Sequence, residues 1–203
     1  MILGPQYKIC KRLGSAIFEK CQTQRFALSA QRSAAAKKKG GRRNNSDYNR
    51  QLIEKQKLRL TYGLTEKQFA SYVAKALESK ANPQEVLFGL LESRLDAVAY
   101  RMGLASTHRM ARQMVSHGHL KVNGKRVTVP SYRVSTGDMV TVREGSQESS
   151  LFQGLSEKHK EFKTPSWITF DGDKKEGVFK ASPVFSSQDT PADIAAVFEY
   201  YTR

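Results

Sequence analysis

LESRLDAVAYRMGLASTHRMARQMVSHGHLKVNGKRVTVPSYRVSTGDMVTVR, the stretch from Leu91 to Arg143, decides the fold of this chain. Its apolar residues keep one spacing up to Val115 and another after Leu120. Leu91, Leu95, Val98 and Met102 recur every three or four residues, the period of a helix buried along one side. Gly103 ends that run, and Ser106 or Thr107 caps a short helix over 107–117. Beyond Gly118 the period falls to two. Leu120 and Val122 alternate with polar residues up to Asn123-Gly124, a dipeptide that favours a two-residue hairpin turn because both residues tolerate positive φ. Val127 and Val129 resume the alternation, Pro130-Ser131 interrupts it, and Val140 with Val142 forms another short strand after the Gly137-Asp138 turn. A helix pair followed by a small antiparallel sheet is an α+β arrangement.

The helix over 107–117 has two chemically distinct faces. At about 100° per residue, Arg109, Arg112, Gln113 and Ser116 share one arc, while Met110, Ala111, Met114 and Val115 share the other. The apolar arc packs. The arginine arc offers planar, forked donors whose geometry suits phosphates. His117, His119, Lys121, Lys125 and Arg126 continue the polar, basic surface through the hairpin, so one concave cationic patch is expected.

Upstream, Asn82-Pro83 opens a helix predicted to run over 82–102, with Pro at its first position. Thr65 and Gln68 form a capping-box pattern ahead of a helix over 66–79. Ser46 or Asp47 caps a helix over 48–61 that Gly63 stops. It gathers Tyr48, Leu52, Ile53 and Leu60 on one arc and turns Arg50 and Lys57 away. Residues 1–47 show no sustained period. They hold the run Ala34 to Asn45, including Lys37, Lys38, Lys39, Arg42 and Arg43, and read as an extended arm that orders only against a partner. Downstream, 144–163 is polar. Weak strands follow at 166–170 and 177–180, then a terminal helix over 194–201 capped by Asp193 or Thr190.

The charge is distributed unevenly over the 203 residues, whose net charge is +15. Residues 1–60 carry 15 Lys/Arg against 3 Asp/Glu, residues 61–90 balance, residues 91–143 carry 9 against 3, and residues 144–203 carry 7 against 10. Two cationic segments and one mildly acidic quarter suggest two polyanion contacts and a third region facing something else. A hydrophobic share of 39% with this charge does not suggest an enzyme of small-molecule metabolism. No apolar run is long enough for a membrane span or a secretory signal, and Cys10 with Cys21 makes no disulfide framework, as fits a reducing cytosol.

Glu92 to Asp96, Arg101-Met102-Gly103, Ala111-Arg112-Gln113, Ser116 to His119, Val122-Asn123-Gly124, Pro130-Ser131-Tyr132 and Gly137-Asp138 together resemble the RNA-binding module of the ribosomal protein S-four family. Ser46-Asp47-Tyr48, Gln51-Leu52, Glu54 to Arg59, Tyr62-Gly63, Glu66 to Phe69, Pro165-Ser166-Trp167, Glu176-Gly177 and Asp193-Ile194 extend the resemblance from about residue 45 to the end. It implies a structural protein of the small ribosomal subunit, not an enzyme, that binds small-subunit rRNA directly and nucleates assembly. It also implies a cytoplasmic ribosomal location near the site where mRNA enters, beside small-subunit proteins five and three, and a contribution to decoding accuracy. No membrane, small-molecule substrate or cofactor is implied.

The resemblance organises the chain into a basic arm over 1–45, a helical domain over 46–90 joined by a helix at about 193–203, the module over 91–145, and the rest of the second domain over 146–192. Candidate RNA contacts then include Arg50, Lys55, Lys57, Arg59, Arg94, His108 and Asn123, besides the arm, helix and hairpin cations. His108 stands where the family commonly has Arg. The acidic quarter offers Gln188, Asp189, Asp193 and Glu199 to a protein neighbour.

Many family members carry four arm cysteines that bind zinc. Cys10 and Cys21 look like the second and third, with Tyr7 and Phe26 in the outer positions, and two thiolates are too few for a closed site. His117-Gly118-His119 reads as a turn whose donors meet RNA rather than as a metal site. Trp167 has no aromatic companions for base stacking and reads as core. Arg94-Leu95-Asp96 resembles a tripeptide that carries the catalytic aspartate of pseudouridine synthases, which often own the same module. An RNA-modifying enzyme is therefore the alternative reading.

Overall fold

The structure, a computed structural model, describes residues 4–38, 46–155, 162, 164–186 and 190–203. It divides into two compact units, Met1–Ser79 with Ser186–Arg203, and Lys80–Phe185.

In the first unit, α3 (Asp47–Thr61) starts where the Ser46 hydroxyl accepts the Asn49 N–H. Thr65 and Gln68 form the expected reciprocal capping box on α4 (Glu66–Leu77). The last helix, α8 (Ile194–Tyr201), is capped by Asp193, which accepts from the N–H groups of Ala195 and Ala196. Polar contacts distant in sequence tie α8 to α3 and α4. Gln51 Nε2 donates to Glu199 at 3.0 Å, Glu54 accepts the Asp193 N–H at 3.0 Å, and the Tyr201 hydroxyl donates to Glu66 at 2.8 Å.

The expectation of an extended arm requires correction. Residues 6–38 form α1 (Gln6–Leu13), a 3-10 turn at Glu19–Cys21 and α2 (Gln24–Lys38). Cys10, Leu13, Phe18, Cys21 and Phe26 are buried together, with Ile9 and Ile17 beside them, against Leu60 and Ile53 of α3. The apolar residues of this segment are too irregularly spaced to show a period, and they reach a core only because α3 supplies its far side.

In the second unit, α5 (Pro83–Glu92) begins at Asn82, whose side chain accepts the Gln84 N–H. The single helix expected over 82–102 is two helices, with α6 (Leu95–Arg101) following a break at Ser93-Arg94. Arg94 has extended backbone and forms an isolated bridge with Arg133. The Leu95 and Asp96 N–H groups donate to the carbonyls of Tyr132 and Pro130, and the Val134 N–H donates to the Ser93 carbonyl. The incoming strand-like segment therefore takes over backbone groups that a continuous helix would have paired internally. The core pattern also sets α5 with this unit: Phe88 meets Trp167 edge-on at 6.1 Å and Phe185 at 5.5 Å.

Thr107 caps α7 (His108–Ser116) by accepting the Met110 N–H. Its apolar arc, with Ala111, Met114 and Val115 buried, packs with Leu95, Val98 and Met102 onto the sheet side chains Leu120, Val122, Val140, Val142 and Phe179. That sheet comprises β1 (Leu120–Val122), β2 (Lys125–Arg126), β3 (Met139–Val142), β4 (Ile168–Asp171) and β5 (Glu176–Phe179), ordered β2-β1-β3-β5-β4 and antiparallel throughout. Asn123 and Gly124 both take positive φ in the hairpin turn. The second strand is Lys125–Arg126 and does not extend through Val127 and Val129 as expected; Val129 is exposed. Trp167 is buried in this core.

His108 lies at the joint of α6 and α7, its ring stacked on Tyr100 at 3.9 Å. Burial pushes the imidazole down to about 4 from its ordinary 6.5, and the nearby Arg101 and Arg112 act in the same direction, against the opposing pull of Glu92 and Asp96. The unfolded chain therefore binds the proton more readily. The stability that the neutral ring contributes is present above about pH 6.5 and is lost as pH falls toward about 4. Denaturant titrations should show the protein losing on the order of 2 kcal/mol more than His108→Phe between about pH 7 and about pH 5. Equal losses in both proteins would show that the ring is free to protonate.

Phe26, in the α1–α2 cluster, is 7% exposed and stacks on Tyr7 at 5.6 Å. Phe26→Ala should cost about 3 kcal/mol in equilibrium unfolding. A cost under about 0.5 kcal/mol, usual for surface sites, would mean that residues 6–38 do not fold in the free protein.

Candidate nucleic-acid interface

The cations of the second unit fall into two groups, according to whether a carboxylate waits beneath them. Asp96, at the start of α6, is 5% exposed. The Arg94 guanidinium grips it with Nε at 2.9 Å and Nη2 at 2.7 Å, and Arg112 reaches it from α7 with Nε at 3.0 Å and Nη2 at 2.9 Å. Arg101 pairs in the same two-pronged way with the fully buried Glu92. Arg94 is 3% exposed, so its expected RNA contact is corrected: the side chain closes the helix break and offers nothing to solvent. Asp96, held by two guanidiniums and by the Ala97 N–H, is not disposed as a catalytic carboxylate.

Arg109, Gln113, Ser116 and His117 stand exposed along α7 and its end, whereas Arg112 is only partly exposed. The predicted arginine face thus presents Arg109 outward and anchors Arg112 inward. Asn123, Lys125 and Arg126 are exposed on the hairpin, with the Asn123 amide donating to Asp138 at 2.8 Å. Lys121 is paired with Glu144 at 2.6 Å. Gly118 takes φ +69°, and a β-carbon there would collide with the Arg126 guanidinium, which lies over the turn and donates to the His117 carbonyl at 3.1 Å. The positive φ is what favours glycine here, since the exposed Arg126 side chain could move aside. His119 is partly buried, with burial, His117, Arg143 and Arg126 all lowering its proton affinity. Burial holds the His108 imidazole down to about 4, so this candidate RNA contact carries no charge at neutral pH. Sequence reasoning passed over Arg133, which is exposed, and Arg143, which is partly so; both lie in or beside motifs read only for their turn residues.

In the first unit Arg50 is exposed, the expected contact of Lys55 is corrected by its burial, and Lys57 and Arg59 are partly exposed and engaged within the chain. Lys55 is buried, donating to Glu66 at 2.7 Å with its ammonium 4.3 Å above the Tyr200 ring. Lys57 turns to Glu54 at 2.6 Å, and Arg59 binds Gln56 at 2.7 Å and the Leu64 carbonyl. Further exposed cations of this unit lie on residues read as an arm, Lys8, Arg12, Lys20, Arg25 and Arg32, and on α4 at Lys67 and Lys75. The side chains of Lys37 and Lys38, and the whole of Lys39, Arg42 and Arg43, lie outside the described residues, as do Gln188 and Asp189. Asp193 and Glu199 are exposed, the first capping α8 and the second accepting from Gln51.

Zinc does not fit the residues around Cys10 and Cys21. Both thiols are buried, and the Cys21 thiol is pushed up to about 12 by burial and by its hydrogen bond with Cys10, while Tyr7 and Phe26 stack where further ligands would stand. Among the described residues no group of three or more His, Cys, Asp or Glu is arranged to hold a metal, and no helix is long and apolar enough to cross a membrane.

Residues 2–92 match the family described as ribosomal protein S4/S9 N-terminal domain, and residues 93–140 match the S4 domain. Small ribosomal subunit protein uS4 of Thermotoga maritima is 40% identical over 204 residues, with 98% of each chain covered. The protein of that name from Chromobacterium violaceum is 41% identical over 203 residues, covering 99% of this chain and 98% of its own. With two family matches in succession and relatives similar over almost their full length, this chain belongs to the ribosomal protein uS4 family.

Proposed function

We propose that the protein is a structural component of the small ribosomal subunit in the cytoplasm, bound directly to the subunit's rRNA. The observation that carries this reading is the α7–hairpin surface, where Arg109, Gln113, His117, Lys125 and Arg126 stand exposed on a rigid packed unit. Backbone phosphates supply the matching charge, and guanidinium groups on a short helix suit their geometry. Lys8, Arg12, Lys20, Arg25 and Arg32 give the first unit a cationic surface of its own. As a direct rRNA binder, the protein nucleates assembly of the subunit.

The reading extends to its neighbours. Asp193 and Glu199 lie in the mildly acidic C-terminal quarter with Gln188 and Asp189, and phosphate repels such a surface. It faces small-subunit protein five, with protein three nearby and the mRNA path beside them. This contact restrains subunit movement and so supports decoding accuracy. The pseudouridine synthase alternative has no support in the family matches or in the locked geometry of Asp96.

The protein should sediment with small subunits and bind their rRNA with strong salt dependence. Arg109→Ala combined with Lys125→Ala should flatten the log–log salt slope by about 0.7–0.9 for each phosphate no longer neutralised. An unchanged slope in the folded double variant removes this surface from the RNA interface. Separately, Glu199→Lys should weaken pull-down of protein five and raise misreading in a reporter. Normal values for both would leave Glu199 as an internal partner of Gln51 and Arg50.

A further inference from the structure

We infer that His119 is the centre of a phosphate site, positioned by Ser146 and flanked by Arg126, Arg143 and His117, that couples RNA binding to the uptake of one proton. This rests on the reading of the chain as an rRNA-binding protein and names a device within its second unit.

The site is assembled from four pieces of chain. His119 leaves α7 through the Gly118 turn and enters β1. Its Nδ1 lies 3.0 Å from the Ser146 hydroxyl, which is 2% exposed. That hydroxyl also accepts from Arg143 Nε at 3.3 Å, and the Arg143 N–H donates to the His119 carbonyl at 2.8 Å. A serine hydroxyl has a single proton to give. Its oxygen accepts from Arg143 through one lone pair, and in the proposed arrangement the serine proton goes to Nδ1. The proton of the neutral imidazole then sits on Nε2, which bonds no described residue. Phe152 meets the ring edge-on at 6.0 Å, and His117 stacks beside it at 6.0 Å with 14° between the planes.

Among the described residues, the charged groups acting on the ring are His117, Arg143 and Arg126, all basic. His117 comes from the end of α7, Arg126 from β2 and Arg143 from the residue after β3; the 3-10 turns supply Ser146 and Phe152. Glu144, two residues before Ser146, is engaged by Lys121. Burial and the three basic neighbours hold His119 neutral in the free protein. A phosphate placed among them reverses the sign of the local field. The same ring then protonates, and Nδ1–H turns its bond around to donate to Ser146. Because the bound form holds the proton more tightly, affinity rises as pH falls and levels off below the free protein's titration. Ser146 is a positioning residue here: it keeps Nε2–H as the outward donor before protonation.

The test uses the full chain and intact small-subunit rRNA at fixed salt. Between about pH 7.5 and about pH 5.5 the protein should tighten about three- to tenfold more than His119→Gln, which keeps an amide donor but cannot titrate. Ser146→Ala frees both tautomers of the neutral ring. It should bind about twofold more weakly at the higher pH and match the unaltered protein at the lower, where both nitrogens carry protons. Circular dichroism checks that each variant is folded. The same pH response in the unaltered protein and His119→Gln overturns the coupling while leaving salt-dependent rRNA binding intact. Equal weakening of Ser146→Ala at both pH values overturns the positioning role. Absence of salt-dependent rRNA binding by the unaltered protein overturns the functional reading and this site together.

Discussion

One buried carboxylate organises the second unit. Asp96 receives Arg94 from the residue that breaks the helix and Arg112 from the helix packed beside it. Taking a carboxylate out of water is costly, and only well-directed, charge-assisted bonds offset that cost. Here the offset comes from both sides, so the carboxylate fixes the start of α6 and the position of α7 at once. Removing one partner of such an arrangement typically costs about 3–5 kcal/mol, because a charge is left buried without compensation. The strand-like segment 130–134 can dock at Ser93-Arg94 only because the Arg94 side chain folds back onto this acid and leaves the backbone groups on its other side available.

The same interaction determines which cations a polyanion meets. Arg109 and Arg112 are three residues apart on one helix, yet the first faces solvent and the second is partly exposed and held by Asp96. Lys55, Lys57 and Arg59 in the first unit are likewise satisfied by Glu66, Glu54, Gln56 and a main-chain carbonyl. Counting Lys and Arg therefore overstates the field at the surface. Among the described residues, the cations left exposed include Arg109, Lys125 and Arg126 of α7 and the hairpin and Lys8, Arg12, Lys20, Arg25 and Arg32 of the first unit, alongside Lys67, Lys75, Lys174 and Lys180 elsewhere.

Features encoded by neighbouring residues were legible in the sequence. Thr65 with Gln68, Asn82-Pro83, Asp193 and Asn123-Gly124 each act within three residues of themselves, so their caps and turn form as read. The short strands β4 and β5 follow the same rule. The break at Ser93-Arg94 was not legible, because no Gly or Pro marks it and the apolar spacing runs through it undisturbed. The outside partner is Tyr132, nearly forty positions away, and a helical wheel cannot show it. Lys55 reads as a surface cation because its acid, Glu66, comes from the next helix, whereas the acid of Arg94 is only two residues away and its burial follows from the break. Ser146 sits in a polar stretch with no period, and nothing there singles it out until His119 and Arg143 meet at its hydroxyl.

Residues 6–38 show how a segment with few apolar side chains can still fold. The resemblance sets Tyr7, Cys10, Cys21 and Phe26 at the positions of a four-cysteine pattern, where a metal would tie α1, the turn and α2 together. In this chain the inner pair remains as buried thiols, hydrogen-bonded to each other, and so behaves as small apolar groups. The outer pair is an aromatic stack. An aromatic pair contributes about 0.5–1.5 kcal/mol beyond its buried area, far below the roughly 10–16 kcal/mol of a structural zinc site. Packing of this strength cannot hold α1 and α2 alone. Leu60 and Ile53 of α3 add to the packing and complete the cluster. Their part makes the fold of this segment conditional on the helical core of its own unit, whereas a metal-tied segment would carry its cross-link within itself.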